Sequence, residues 1–505
     1  MLRFANNFGR LDSEFLESSL QDSKDSKGED SKNHNLDSKE ITESISKDSK
    51  ALSHDHNEDS KTLSPTHHPI SGKDSKNLSP SHDKDSKIKD SKKDSIESKE
   101  QNQKLIEQRN ALFNAILQEK NTGKSGYYEL PFTQRALQDS INYKNANKKL
   151  LKSLTHIVII GIGGSSLGTR AIDTLLNSLK NRNEIKLKFL EHTDSIATKK
   201  ILKNIKLKST LFIVISKSGS TIETTSLLKF CINKFALLDA KKHLLVITDS
   251  NSPLQKWAKE NGVQNIAIES SVGGRFSVLS SVGILPLSLL GYKVEKILQG
   301  AKEFFESFLR REQEHILSKA LFYAKHRDKY PINVLFSYSS VFSDFNAWYI
   351  QLWGESLGKI NADNKRGGLT PISLLGSIDQ HSFLQLILEG KADKSVTFLR
   401  LSCGSVESLK IPNVKLSGLE STNFVNGVSF LKLLNSQCKA TMQVMDEQDI
   451  PLDSIILERL NERTIGSLIM YYELLTSSVG ILLNINTYDQ PAVEKGKKLL
   501  SKILA

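Results

Sequence analysis

The sequence predicts an α/β protein made of two doubly wound domains, each a parallel sheet with helices on both faces. Three observations carry that prediction. Short β-branched runs alternate with helical patterns from about residue 156 onward, and such alternation builds parallel strands joined by crossover helices. The same theme starts again in the second half. A chain of 505 residues also exceeds what one core usually holds.

Taken in order, a short amino-terminal piece at residues 1–11 comes first. Between residues 21 and 100 the triplet Asp-Ser-Lys occurs nine times, and no Phe, Tyr or Trp lies between Phe15 and Phe113. Isolated apolar residues such as Leu36, Ile41, Leu63 and Ile88 cannot bury enough surface to offset chain entropy. Residues 12–100 are therefore expected to be a disordered, solvated insertion. A helical pattern resumes near Gln103, with Leu105, Leu112, Ile116 and Leu117 on one face. Tyr127-Tyr128-Glu129-Leu130-Pro131 reads as an irregular link.

The runs at 156–160, 186–190, 211–215 and 244–248 are predicted strands, each followed by a polar or glycine-rich loop and a helical pattern. In the second half, 333–336 and 396–401 read as strands, and Met442-Gln443-Val444 as a third. Helical stretches at 345–357 and 382–388 lie between them. These elements divide into a first domain over 101–305 and a second over 306–505, joined near 293–308. An amphipathic, lysine-rich helix at 493–504 ends the chain.

Charge divides unevenly. Residues 21–100 carry 15 Lys against 18 Asp or Glu, a net of −3, which leaves +15 for the rest of a chain whose total is +12. A basic folded part suits an anionic ligand. No Lys/Arg cluster is interleaved with aromatics, so nucleic acid is not an expected partner. Cys231, Cys403 and Cys438 are too scattered for a zinc site or a disulfide framework. The first residues lack an apolar core long enough for a signal peptide, and no run of about 20 apolar residues appears. A soluble cytoplasmic protein with no membrane partner is expected.

Two loops have the composition of anion sites. Gly161-Ile162-Gly163-Gly164-Ser165-Ser166-Leu167-Gly168 follows a buried strand and opens a helix, so glycines let the backbone approach an anion at a helix N-terminus. It is also an incomplete dinucleotide pattern: Gly161 and Gly163 fit, Ser166 replaces the last glycine, and Glu191 comes later than the usual acidic residue. Ser216-Lys217-Ser218-Gly219-Ser220-Thr221 supplies four hydroxyls ahead of a second helix. The alternative there is an ordinary helix cap, with Ser220 and Glu223 forming a capping box. Downstream, Trp353-Gly354-Glu355-Ser356-Leu357-Gly358-Lys359 sets one carboxylate in a weakly charged run, as a proton-abstracting base requires.

Each residue has a plain alternative when taken alone. Glu355 can be a surface helix residue, Arg275 can pair with any carboxylate, and a lone histidine is usually structural. The combination overturns these readings. With Val272-Gly273-Gly274-Arg275-Phe276-Ser277 and Tyr488-Asp489-Gln490-Pro491-Ala492-Val493-Glu494 in the expected order, residues 101–505 resemble the phosphoglucose isomerase family. The two hydroxyl-rich loops resemble its sugar isomerase (SIS) domains.

The resemblance implies aldose–ketose isomerisation of glucose 6-phosphate and fructose 6-phosphate through a cis-enediol, with no cofactor and no metal. By position, Glu355 matches the catalytic base and Arg275 the guanidinium that stabilises the enediolate. His381 matches the ring-opening histidine, and Lys497 the lysine that assists it. Ser216, Lys217, Ser218 and Thr221 match the phosphate loop, while Gly164, Ser165 and Gln490 match sugar contacts. It further implies a homodimer in which the histidine reaches the partner's site. Departures are Ile378-Asp379 where relatives often have Asn-Gly, Ala492 for a common glycine, and Ser218-Gly219-Ser220 for a threonine-rich run. Two rivals stand beside this reading: a phosphosugar-binding regulator without chemistry, and a nicotinamide-dependent oxidoreductase.

Overall fold

The computed structural model describes residues 1–7, 84–402 and 406–504. The expected disordered insertion lies outside the described residues from 12 to 83, and so does Cys403. Its last part is described: helix Lys84–Asn121 begins inside the Asp-Ser-Lys tract. Lys and Glu are good helix formers, and they continue a helix that residues Leu105, Leu112 and Ile116 anchor by burial. The chain divides into two units, one of Met1–Asp12 with Leu105–Ala505 and the other of Ser13–Lys104.

The larger unit holds two five-stranded sheets. The first contains β2 (His156–Ile160), β3 (Lys186–Leu190), β4 (Thr210–Ser216), β5 (Leu244–Asp249) and β6 (Gln264–Ile268), in the order β3-β2-β4-β5-β6. All of its pairings are parallel. Every residue of Leu211–Ile215 and Leu244–Ile247 is at most 1% exposed, which is why these strands read as unbroken apolar runs. The edge strand β6 is half polar (Gln264, Asn265) and gives no such signal.

The second sheet contains β1 (Leu2–Asn6), β7 (Ile332–Tyr338), β8 (Thr370–Gly376), β9 (Lys394–Leu401) and β10 (Leu452–Leu457), in the order β1-β10-β9-β7-β8. The amino-terminal piece thus completes a sheet made otherwise of residues after 330, and β1 is its one antiparallel member. The third strand expected at Met442–Val444 is a correction. Those residues lie in helix Phe430–Glu447, which buries Leu431, Cys438, Thr441 and Met445 at helical spacing, and the strand follows at β10.

Each sheet reverses direction once. From β2 the chain adds β3 on one side and β4 on the other; from β7 it adds β8 on one side and β9 on the other. Loops at such a point diverge and leave a crevice outside the carboxyl ends of the strands.

Helix Glu462–Leu482 packs on helix Val294–Leu309. A Cβ on Gly466 would lie 1.9 Å from the Ile297 carbonyl oxygen, so only glycine permits this crossing. The helix is long and apolar enough to span a membrane, but 83% of its apolar window is buried in the fold.

Within that helix, Glu473 is 0% exposed and neither carboxylate oxygen has a hydrogen-bond partner. Burial pushes its pKa well above the ordinary 4.5, because desolvation penalises the charged form. Above pH 4.5 the folded state therefore keeps a proton that the unfolded chain loses. Stability is complete below the unfolded value and falls as pH rises, by about 1.4 kcal/mol per pH unit. Glu473→Gln removes this titration. Its urea-unfolding free energy should decline less than that of the wild type between pH 5 and pH 8, and equal slopes would contradict a buried neutral carboxyl.

Candidate active site

The two hydroxyl-rich loops follow β2 and β4, which are hydrogen-bonded neighbours at the reversal point of the first sheet. In the first loop, residues Gly163–Ser165 form a 3₁₀ turn before helix Leu167–Leu176. Gly164 has backbone packed on backbone: a Cβ there would lie 2.2 Å from the carbonyl of Gly274 and 2.7 Å from the Arg275 nitrogen. Any side chain at 164 would separate this loop from the segment that carries Arg275. Gly164 and Ser165 are both half-buried.

In the second loop, the chain turns through Gly219 at φ +68°. Ser216 Oγ lies 3.1 Å from Thr221 Oγ1 and accepts from Gly219 N at 3.2 Å. Ser218 Oγ accepts from Ser220 N at 3.3 Å. Thr221 is the N-cap of helix Ile222–Phe235, with no side-chain capping bond. The capping-box alternative is therefore not what forms. Among the described residues no side chain caps the first N–H groups of this helix, and N–H groups so placed can bind an anion. Lys217 donates to the Ser270 carbonyl at 2.8 Å. Burial lowers its pKa; Asp249 opposes the shift and Arg275 adds to it.

The carboxylate arrives on a third element. Helix Ser343–Leu357 packs antiparallel to helix Leu167–Leu176: Asp344 accepts from Thr174, Trp348 lies over Gly168, and Gln351 reaches Gly163. This packing carries the last turn, with Glu355, to the first loop. Gln351, one turn earlier, donates to Glu355 Oε2 at 3.4 Å, and its own Oε1 is buried with no partner.

Arg275 joins the pieces. Its side chain is 1% exposed, against 39% for Glu355. Nε donates to Ser356 Oγ at 2.7 Å, and Nη1 donates to Glu355 Oε2 at 3.3 Å and Gln490 Oε1 at 2.8 Å. Nη2 donates to the carbonyls of Thr487 at 2.5 Å and Asp489 at 3.0 Å. Burial lowers the Arg275 pKa, and Glu355 and Asp489 oppose it. A guanidinium stays charged under such pressure because its starting value is so high. Lys359, one turn beyond Glu355, donates to Asp489 O at 2.6 Å and Asp489 Oδ1 at 3.0 Å.

Of the residues singled out in the sequence, Gly164, Arg275, Glu355 and Gln490 meet directly, and Ser165, Ser216, Lys217, Ser218 and Thr221 lie on the two flanking loops. His381 and Lys497 are placed differently. His381 is exposed on the 3₁₀ turn Ile378–His381, and among the described residues no hydrogen bond joins it to Glu355 or Arg275. Lys497 is exposed on helix Glu494–Leu504. Residues with no role in the sequence reading are Gln351, Ser356 and Lys359. All three sit within one turn of Glu355, so helical periodicity around the candidate base is the signal that could find them.

The dinucleotide alternative meets a structural obstacle. Glu191, which would have to reach a ribose, instead accepts from Ser166 Oγ at 2.6 Å and pairs with Arg170. Among the described residues no three His, Cys, Asp or Glu side chains gather as a metal site would.

Comparison with known proteins gives one consistent result. The family model described as Phosphoglucose isomerase matches residues 133–505. Glucose-6-phosphate isomerase of Campylobacter jejuni subsp. jejuni is 45% identical over 394 residues, covering 77% of this chain and 95% of that protein. A probable glucose-6-phosphate isomerase of Methanococcus maripaludis is 36% identical over 400 residues, covering 77% and 86%. The crystal structure of a hypothetical protein from Thermus thermophilus superposes with a TM-score of 0.72 at 32% identity, over 79% of this chain and 94% of that one.

If the loop at 216–221 is the anion site, Ser216→Ala with Thr221→Ala removes two donors to a charged group, each worth roughly 1.5–3 kcal/mol. Affinity for a phosphate-bearing ligand, measured by calorimetry, should fall at least tenfold while the thermal midpoint changes little. Unchanged affinity would put the anion elsewhere.

Proposed function

The chain belongs to the phosphoglucose isomerase family and interconverts glucose 6-phosphate and fructose 6-phosphate, a step of glycolysis and gluconeogenesis; we propose how its residues divide that reaction. The observation that carries the proposal is the Glu355 carboxylate held 3.3 Å from the buried Arg275 guanidinium. The phosphate sits on the hydroxyls of Ser216, Ser218 and Thr221 and the N–H groups of helix Ile222–Phe235, with Lys217 beside it. Gly164, Ser165 and Gln490 face the sugar.

Glu355 takes the proton from C2 and returns it to C1. One carboxylate can serve both carbons, since a cis-enediol presents them on one face. The intermediate gathers negative charge on oxygen, and a fixed cation lowers the energy of that state more than it lowers the substrate's. Arg275 suits this role because its five hydrogen bonds leave it no need to reorganise. His381 moves the proton between O1 and the ring oxygen before isomerisation, assisted by Lys497; an imidazole can both donate and accept a proton.

His381 is exposed and, among the described residues, makes no hydrogen bond to Glu355 or Arg275, which supports a homodimer in which His381 completes the partner's site. Leu409, Phe424 and Phe430 are exposed near residues 406–430, and Ile378 is exposed beside His381. Apolar surface of this extent is covered most simply by a second copy. The working environment is the cytoplasm, the ligands are the two sugar phosphates, and neither nucleic acid nor membrane is a partner.

One experiment tests the histidine and the dimer together. Glu355→Gln and His381→Ala should each be nearly inactive on cyclic substrate as purified proteins. After mixing, dissociation and reassembly, about half of the dimers are mixed and each contains one intact site, so about a quarter of wild-type turnover should return. No recovery, in a mixture shown to exchange subunits, would contradict a shared site.

A further inference from the structure

Arg275 makes three of its five hydrogen bonds to one short segment, through the Thr487 and Asp489 carbonyls and the Gln490 side chain. That segment lies between helices Glu462–Leu482 and Glu494–Leu504 and has no regular structure beyond the 3₁₀ turn Pro491–Val493. What fixes it therefore sets where the guanidinium points.

Two anchors do so. Lys359 holds the outer side through Asp489 and the Asn486 carbonyl. The inner side is held by Tyr488, whose hydroxyl enters a part-buried polar cluster with Glu119, Tyr128 and Ser477. Its hydroxyl donates to Glu119 Oε2, and Tyr128 donates to the same oxygen at 3.1 Å. The Tyr488 hydroxyl also lies 3.1 Å from those of Tyr128 and Ser477. Its ring meets Phe276, the neighbour of Arg275, edge-on at 5.5 Å, and Phe276 stacks on Tyr127 at 4.9 Å. Glu119 is 8% exposed and pairs with Lys124 at 2.9 Å, so its carboxylate is a charged acceptor fixed on helix Lys84–Asn121. Hydrogen bonds to such a group are about twice as strong as neutral ones.

We propose that Glu119 and Tyr488 form a positioning pair for Arg275: the carboxylate on the amino-terminal helix holds the Tyr488 hydroxyl, and thereby the carbonyls that orient the guanidinium toward the developing enediolate. Glu119 and Tyr128 precede residue 133, where the family match begins. The helix that begins inside the Asp-Ser-Lys tract thus contributes to catalysis without touching substrate.

The inference rests on the assignment of Arg275 as the enediolate-stabilising group, and the test separates the two. Tyr488→Phe keeps the ring and its stacking but removes the hydroxyl. In the full-length protein its kcat should fall about ten- to a hundredfold, the scale of a small misplacement of a catalytic group, with KM within about twofold. Rates are referred to the number of sites that bind glucitol 6-phosphate, a sugar phosphate with no carbonyl to isomerise, so partial unfolding is not mistaken for slow chemistry.

Glu119→Gln should give a similar loss, and the double variant little more than either single one, because both remove one interaction. Additive losses, an unchanged kcat per binding site, or a loss confined to KM would each overturn the positioning pair. Should Tyr488→Phe fail to fold, Glu119→Gln and Tyr128→Phe make the same comparison at the carboxylate. Arg275→Lys is measured in parallel. If it turns over near the wild-type rate, the Arg275 assignment itself is wrong; if it is slow while Tyr488→Phe is normal, only the positioning pair fails.

Discussion

Arg275 carries its charge at 2% exposure, where an unpaired guanidinium would cost several kcal/mol. Its five acceptors offset that cost, and they come from separate parts of the chain: Glu355 and Ser356 at a helix end, and Thr487, Asp489 and Gln490 in a late loop. The need to satisfy one buried cation thus fixes the relative positions of the candidate base and of the segment facing the sugar. Removing any one acceptor leaves a buried donor unpaired. The site is consequently sensitive to changes well outside the substrate crevice, Tyr488 and Glu119 among them.

A second constraint is steric. The Arg275 segment and the first glycine-rich loop are in backbone contact at Gly164 and Gly274. The antiparallel packing of helices Leu167–Leu176 and Ser343–Leu357 brings Glu355 to the same place. Two sheets with matching reversal points therefore cooperate. The first supplies the two hydroxyl-rich loops at its strand ends, and the second sends its first crossover helix across with the Glu355 carboxylate. On the proposed division of roles, phosphate affinity and proton transfer fall to separate elements, and a substitution in one should leave the other largely intact.

Legibility in the sequence follows burial and locality. Strands β2, β4 and β5 are readable because central parallel strands are apolar throughout. The edge strands β6 and β8 are not, since Gln264, Asn265 and Pro371 interrupt the pattern. Met442–Val444 misleads because apolar Met442 and Val444 flank polar Gln443 as in a short strand, although in the helix Gln443 and Val444 are exposed. The loops after β2 and β4 are legible as candidate anion sites, since their glycines and hydroxyls are contiguous. The family resemblance, not spacing, singles out Arg275, Glu355 and Gln490, and the structure brings those three together. His381 and Lys497 are exposed on other elements, the 3₁₀ turn Ile378–His381 and helix Glu494–Leu504. Glu119, Tyr128 and Tyr488 meet over more than 300 positions of sequence, and no local pattern announces such a contact.

The central claim is that Glu355 carries the proton between C2 and C1. A carboxylate that is 39% exposed can exchange a captured proton with solvent before returning it. In heavy water the wild-type chain should therefore place deuterium at C2 of the glucose 6-phosphate it re-forms, followed by proton NMR. Glu355→Gln should bind sugar phosphate normally and incorporate deuterium about 10²–10⁴ times more slowly, the usual cost of losing a general base. Incorporation at the wild-type rate in Glu355→Gln, with binding intact, would show that another group moves the proton.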